Sequence, residues 1–438
     1  MFKVFYQSKK KGSRARIGEI ITSHGVIKTP AFVAVGTKGT VKSIFPPLLK
    51  EIGTQVAFVN NYHLVTHPGA DIIERSEGIH KWANLNIPLM SDSGGFQVFS
   101  LARKRDSGSK FLSHESLTPT ESSGSPRKRK NFSPSSYNND YFNDKTLSLV
   151  KISDDGVKFR STFDGSVIEF TPEKSIEYQR QIGADINMAF DECIPYGVSY
   201  EYTKAATERT HRWLERCIKE IKNQKSKIKN SNQKSKIEKN QYLYGVIQGG
   251  MFEDLRKKSA EFVVSQNTPG VAIGGVSVGE SKKEMRDQVK WVADYLPKDR
   301  PVHLLGVGQI DDILDLVVYG IDTFDCVEPT RLARMGTIYQ IGSAPFSRKQ
   351  KNGESLLEKA PSPDFSKVDI LRGVYKDDFS AIDEDCDCYV CQNFIKSYLH
   401  HLFKNRELLA YTLATYHNLY VMEKIFAWIR EMIEKDLI

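Results

Sequence analysis

The chain has 438 residues, 40% of them hydrophobic and 26% charged, with 62 Lys and Arg against 54 Asp and Glu for a formal charge of +8. This is enough to bury a sizeable core in one large domain or two ordinary ones, and the mild basic excess suits an anionic partner such as RNA as well as it suits a soluble enzyme. Six cysteines, three of them in one cluster, are no disulfide framework for a chain this long, and no apolar run reaches signal-peptide or transmembrane length, so a soluble, cytoplasmic protein is expected.

Eight short apolar runs follow in chain order, each finishing on Gly or a polar residue. They are PAFVAVGT from Pro30, QVAFVNN from Gln55, IPLMSD from Ile87, DINMAFDE from Asp185, YLYGVIQGG from Tyr242, GVAIGGVSVGE from Gly270, VHLLGVGQ from Val302 and IDTFDCVE from Ile321. Most are rich in β-formers and do not alternate, as strands buried on both faces should not. Helix-like stretches such as SIEYQRQIG, YTKAATERTHRWLERCIKEI and SKKEMRDQVKWVADYL lie between several of them. Eight such units predict a (β/α)8 barrel over residues 1–345. A doubly wound open sheet is the competing topology, but AVGTKGT after the first run is a poor phosphate turn.

Three stretches interrupt the pattern. Residues from about 103 to 145 are rich in Ser, Asn and charge, carry PRKRK at Pro126 to Lys130, and are expected to be a flexible insert on the catalytic face. Residues 219–240 repeat NQKSKI at Asn223 and Asn232 and hold eight Lys against two Glu, which reads as an extended, solvated helix end or loop. Ser347 to Lys367 has the Pro, Ser and Gly content of a linker or lid, placed at 346–370. Residues 371–438 then form a cysteine-bearing subdomain with closing helices.

A barrel brings the C-terminal ends of its strands to one face, so polar residues far apart in sequence become neighbours there. Asp92, Asp191, Gln248, Gly275 and Asp325 all stand at such ends. In FDCVEPTRLARMG, Asp325 ends an apolar run and Arg331 and Arg334 follow, a sensible way to hold a nucleophile beside a phosphate backbone. Taken singly, a strand-end aspartate is more often a turn former or helix cap, and paired arginines are more often a solvated helix face.

Cys386, Cys388 and Cys391 form C-x-C-x-x-C, and His417 lies 26 residues beyond in the closing helical pattern. Three thiolates and one imidazole complete a tetrahedral Zn2+ shell with no open position, so the zinc is expected to be structural, one per subunit. His400 and His401 are rival fourth ligands by sequence. They follow the last cysteine by less than three helical turns, too close for a helix to fold back onto the cysteine turn.

Together the pieces GVIKTPAFVAVGT, NNYHL, PLMSDSGGFQVFS, MAFDEC, YGVIQGGMFEDLR, GGVSVGE, HLLGVG, DTFDCVEPTR and the cysteine cluster with its distant histidine resemble the tRNA-guanine transglycosylase family, bacterial type. The match runs nearly end to end, apart from the three inserts. The resemblance implies a (β/α)8 barrel with a zinc subdomain near the C-terminus. It implies a pentosyltransferase that exchanges the wobble guanine of GUN-anticodon tRNAs for the queuosine-pathway base preQ1 through a covalent tRNA–aspartate intermediate.

By position, Asp325 resembles the family's nucleophile and Asp92 its general acid and base. Asp191, Gln248 and Gly275 resemble the base-recognition set, with the Val276 carbonyl, Phe96 and Glu280 beside them. Asn60 and Gln97 would help place the ribose and the two acids, and Arg331 and Arg334 would contact the anticodon loop. Phe96 stands where bacterial members commonly carry Tyr, whereas Cys193 and Val278 follow the bacterial pattern that narrows the pocket against queuine. Leu305, Glu328, Leu332 and Met335 also depart from commoner residues. Use of queuine, or a role as the non-catalytic subunit of a heterodimer, are the alternatives the family offers; retention of both aspartates favours catalysis. A homodimer with its zinc region near the interface, and no membrane partner, completes the implied picture.

Overall fold

The computed structural model describes residues 2–95, 150–161, 163–230, 241–342 and 365–438. An antiparallel sheet opens the chain, with strands β1 (Phe2–Gln7), β2 (Arg16–Thr22) and β3 (Gly25–Thr29). Three parallel strands follow, β4 (Ala31–Val35), β5 (Ala57–Val59) and β6 (Leu89–Ser91). A second antiparallel sheet holds β7 (Val150–Ile152), β8 (Val157–Arg160) and β9 (Val167–Phe170). Five more parallel strands are β10 (Ile186–Met188), β11 (Tyr242–Ile247), β12 (Gly270–Ile273), β13 (Val302–Leu304) and β14 (Thr323–Cys326). A hairpin of β15 (Thr337–Ile341) and β16 (Phe365–Asp369) comes last.

The eight parallel strands close on themselves in the order β4-β5-β6-β10-β11-β12-β13-β14, with β14 returning to β4. All eight expected runs are the barrel strands. Val33, Met90, Met188, Val246 and Ala272 fill the lumen, whereas their strand neighbours Ala34, Leu89, Ile247 and Ile273 join the outer core under the helices. Alternate residues on a strand face opposite ways, so a strand apolar throughout supplies both layers.

The crossover helices are delimited by local chemistry. The helix Pro172–Ile182 starts with Pro at its first position and with Thr171 accepting from the Lys174 amide, and it ends on left-handed Gly183. The helix Lys282–Val292 opens on a capping box of Ser281 and Glu284. The Lys-rich stretch is in part a helix end: the helix Tyr200–Asn230 runs through residues 219–230, and 231–240 lie outside the described residues. So does all of 103–145, including PRKRK.

The end of the barrel opposite the site is closed by two buried acids that the sequence reading did not single out. Arg16 makes a two-pronged contact with Asp322, Nε to Oδ1 at 2.9 Å and Nη2 to Oδ2 at 2.6 Å. Asp185 accepts from the Leu89 amide and lies 2.7 Å from His24 Nδ1 and 3.2 Å from His80 Nε2, the two imidazoles being stacked. The Leu89 amide and His24 bond that carboxylate with His80 close beside it, and at 2.7 Å the His24 contact is a hydrogen bond, shorter than the spacing of two ligands around one metal ion.

Residues 365–369, which the sequence places in the linker, form β16 instead, because they pair in register with β15. The C-terminal helix Leu408–Glu434 packs on the helix Glu328–Arg334, on β4 and on β2. Asn418 on that helix accepts from the Tyr339 amide and donates to the Pro329 and Thr337 carbonyls. One continuous apolar cluster therefore joins the barrel's outer layer to the cysteine-bearing region.

Candidate active site at the C-terminal rim of the barrel

Six of the predicted residues stand at or just beyond the C-terminal ends of barrel strands. Asn60 follows β5, Asp92 follows β6, Asp191 lies three residues beyond β10, Gln248 follows β11, Gly275 lies two beyond β12, and Asp325 is the third residue of β14. Strand closure alone brings these segments to one rim. Phe96 and Gln97 lie outside the described residues.

Asp92 is held by three donors, the Gly94 amide among them. The Asn61 amide reaches Oδ1 at 2.6 Å, and the Asn60 side-chain amide reaches Oδ2. Asn60 serves twice, because its Oδ1 also caps the helix Asn61–Thr66 by accepting from the His63 amide. Burial pushes the Asp92 carboxyl up to about 7, against the pull of those donors and with some help from nearby Asp191. A carboxyl at that value can give and take a proton near neutral pH.

Asp191 is buried, and its carboxyl is raised by burial despite bonds from Ser93 Oγ at 2.8 Å and Gln248 Nε2 at 2.7 Å. Gly95 and Gly275 are demanded by close approach. A Cβ on Gly95 would lie 2.4 Å from Asp191 Oδ1, and one on Gly275, whose φ is +61°, would lie 2.2 Å from Gln248 Oε1. Beneath this peptide sits Arg256, buried and missed by the sequence reading. Its guanidinium donates to the carbonyls of Gly250, Gly274 and Gly275 and to Gln288 Oε1, which fixes the Gly274–Gly275 turn. Burial lowers Arg256 to about 10, still a cation at neutral pH. The LR dipeptide of GGMFEDLR gave no sign of this role; a lone Arg on a helix reads as solvated until the helix docks.

Glu280 accepts from the Val278 amide at 2.8 Å and from the Ser277 amide. Those two bonds turn the amides of the segment toward Glu280. Cys193 and Val278 pack against each other, both buried. Asp325 Oδ1 accepts from the Gly306 amide at 2.9 Å and lies 3.2 Å from His303 Nε2. Arg331 is exposed on the helix Glu328–Arg334, while Arg334 is partly buried and donates to the Thr330 carbonyl. Glu328 is tied inward, to Gln309 at 2.6 Å and Lys367 at 2.5 Å.

Cys386, Cys388, Cys391 and His417 come together, all buried. His417 Nδ1 lies 3.2 Å from Cys391 Sγ, 3.5 Å from Cys388 Sγ and 3.8 Å from Cys386 Sγ. A tetrahedral shell with bonds of about 2.3 Å to sulfur and about 2.0 Å to nitrogen spaces those atoms roughly 3.5 Å apart, so the four can hold a metal ion. His417 Nε2 donates to the Tyr339 carbonyl at 2.6 Å, leaving Nδ1 free as the ligand atom. His400 is instead bonded to the Ile370 carbonyl, and His401 is exposed. Among the described residues no helix is long and apolar enough to cross a membrane.

The sequence pattern that describes queuine tRNA-ribosyltransferase matches residues 10–124 and 137–438. Among curated relatives, the queuine tRNA-ribosyltransferase of Thermoanaerobacter pseudethanolicus is 41% identical over 438 residues, covering 100% of this chain and 95% of its own. The enzymes of that name from Natranaerobius thermophilus and Enterococcus faecalis are each 38% identical, over 97% and 98% of this chain and 92% and 91% of theirs. With a match of this extent laid over a closed barrel that carries the acids on its rim, the chain belongs to the queuine tRNA-ribosyltransferase family of tRNA-guanine transglycosylases.

Proposed function

We propose that this chain replaces the wobble guanine of GUN-anticodon tRNAs with preQ1 by two displacements at the ribose. The observation that carries the reading is that Asp92, raised by burial to about 7, and Asp325 stand on the same barrel rim as Asp191, Gln248 and Gly275. Exchange with retained configuration needs two inversions, as in retaining glycosidases. The target nucleotide must leave its stack to reach such a pocket. The Asp325 carboxylate attacks C1′, the bond from C1′ to guanine breaks, and the departing ring nitrogen takes its proton from Asp92. The incoming base then gives its proton to Asp92 and attacks C1′, releasing Asp325 as carboxylate.

Asp191 accepts from the N–H edge of the base, and Gln248 and the Gly275 amide donate to its ring carbonyl. The bond from Gln248 to Asp191 must yield when base enters. With the Ser277 amide held by Glu280, the Val276 carbonyl is left to accept from the aminomethyl group of preQ1. Phe96 stacks on the base, Asn60 and Gln97 place the ribose and the acids, and Arg331 and Arg334 hold anticodon-loop phosphates. The packed pair of Cys193 and Val278 supports preQ1 over the bulkier queuine.

The Cys3His cluster would hold one Zn2+ per chain in a closed structural shell, tying the cysteine turn to the C-terminal helix. The chain would act in the cytoplasm as a homodimer, one subunit gripping the anticodon loop. Incubation with unmodified GUN-anticodon tRNA and labelled guanine tests the reading. Label should enter the RNA, Asp325→Ala should abolish entry, and preQ1 should compete better than queuine. A folded chain that incorporates no label refutes catalysis and leaves a binding subunit.

A further inference from the structure

The lumen of the barrel is lined mostly by apolar side chains, and its polar groups gather at β13 and β14. There His303, Thr323 and Asp325 form a polar column. Thr323 and Asp325 are two residues apart on β14 and so share a face, and His303 stands in register beside Thr323. His303 and Thr323 are each 0% exposed. His303 Nδ1 lies 2.9 Å from Thr323 Oγ1, and its ring stacks on Phe58 with centroids 5.8 Å apart. Two neighbours thus fix the ring in place and in rotation.

The other ring nitrogen, Nε2, points at the acid. It lies 3.2 Å from Asp325 Oδ1, not yet aligned as a full hydrogen bond, and no other described group bonds it. A buried polar nitrogen with one acceptor in reach is built for that acceptor. Contacts at catalytic groups are often long or bent before substrate arrives and tighten in the complex. The same Oδ1 already accepts from the Gly306 amide.

We propose that His303 is a positioning residue for the nucleophile. Its Nε2–H and the Gly306 amide both take Asp325 Oδ1, so Oδ2 is the oxygen that bonds to C1′. The inference rests on the reading of Asp325 as nucleophile. In the first displacement an Oδ2 lone pair forms the bond to C1′ while the pair of the breaking C1′–N bond leaves with guanine. In the second a ring-nitrogen lone pair of the incoming base forms the new bond to C1′, and the pair of the breaking C1′–Oδ2 bond returns to Oδ2. His303 keeps its proton throughout, and its donation steadies the carboxylate that must depart.

Two substitutions separate positioning from packing. His303→Phe fills the space beside Phe58 but removes the donor, whereas His303→Gln packs worse but restores an N–H. The expected result is a kcat for guanine exchange lowered roughly 10- to 100-fold in the Phe variant, with KM for tRNA and guanine unchanged, and largely recovered in the Gln variant. Full activity in His303→Phe, or a Gln variant no better than it, overturns the proposal. A second readout needs no turnover. In 15N-histidine spectra, the resonance that vanishes in His303→Gln should report a protonated Nε2 and should move in Asp325→Asn. A His303 resonance indifferent to Asp325→Asn overturns the proposal even if the chain shows no exchange, whereas absent exchange with a responsive His303 refutes only the assigned activity.

Discussion

Asp92→Asn should abolish exchange and yet make the folded chain relatively more stable as pH rises. The Asp92 carboxyl is raised from a usual value near 3.8 to about 7 by burial. Its unfolded-state value is the ordinary one, so the unfolded chain loses this proton first. Between those two values each rise in pH favours the unfolded state on this group's account, and above the folded value the penalty is fully expressed. Between pH 5 and pH 8 the part still to be expressed is worth roughly 2.6 kcal/mol. The side chain keeps a partly exposed edge at the barrel mouth. Screening there trims the figure to about 1.5 kcal/mol.

Asparagine carries none of this penalty. It leaves a donor from Asn60 or Asn61 poorly met, a cost of about 1–3 kcal/mol that does not vary with pH. The decisive quantity is therefore the difference in unfolding free energy between variant and wild type, measured at pH 5 and pH 8. Urea titrations followed by the fluorescence of the 4 tryptophans read it directly. The cysteine–histidine cluster is common to both proteins, so its own pH dependence cancels. The difference should move in favour of Asp92→Asn by about 1.5 kcal/mol between the two pH values. A difference that stays flat would mean that Asp92 is an ordinary surface carboxylate, and the argument for a proton-exchanging acid would fall with it.

Asp185 titrates in the opposite sense. Burial alone would raise it, but bonds from His24 and His80 outweigh burial and hold it well below the usual carboxylate range. Its stabilisation is present above about pH 4 and is lost as pH falls toward the folded value, so Asp185→Asn should be destabilised at pH 7 and show a shallower loss of melting temperature below pH 4. Stripping metal from the Cys3His cluster, or His417→Ala, should lower the melting temperature and loosen the C-terminal helix; hydrogen exchange in Leu408–Glu434 reads this, and an unchanged exchange pattern would refute a structural role. Val278→Gly, which removes the side chain packed on Cys193, should raise competition by queuine against labelled guanine more than competition by preQ1. Equal effects on both would remove this pair from the specificity argument.

The barrel strands were legible because a parallel strand covered on both faces must be apolar along its length, and eight such runs stand out from the amphipathic helices between them. The metal cluster was legible because Cys386, Cys388 and Cys391 are close in sequence and soft ligands of that spacing have few other uses. The choice of His417 over His400 was harder to see. It depends on the 2.6 Å bond from Nε2 to Tyr339, which exists only once β15 lies under the C-terminal helix. β16 was read as linker because FSKVD has no buried run of its own and becomes a strand by pairing with β15.

The sequence by itself determined the barrel, the order of its strands and the chemistry available at their ends, since these follow from local periodicity and residue type. Only the tertiary structure decided which groups act through others. Arg256 lies under Gly275, Asn60 reaches Asp92, and His303 faces Asp325 across 3.2 Å. Each of these contacts joins different strands or helices, and its strength depends on exclusion from water. Closing the barrel supplies both the proximity and the low dielectric, and neither can be read from one residue and its neighbours in the chain.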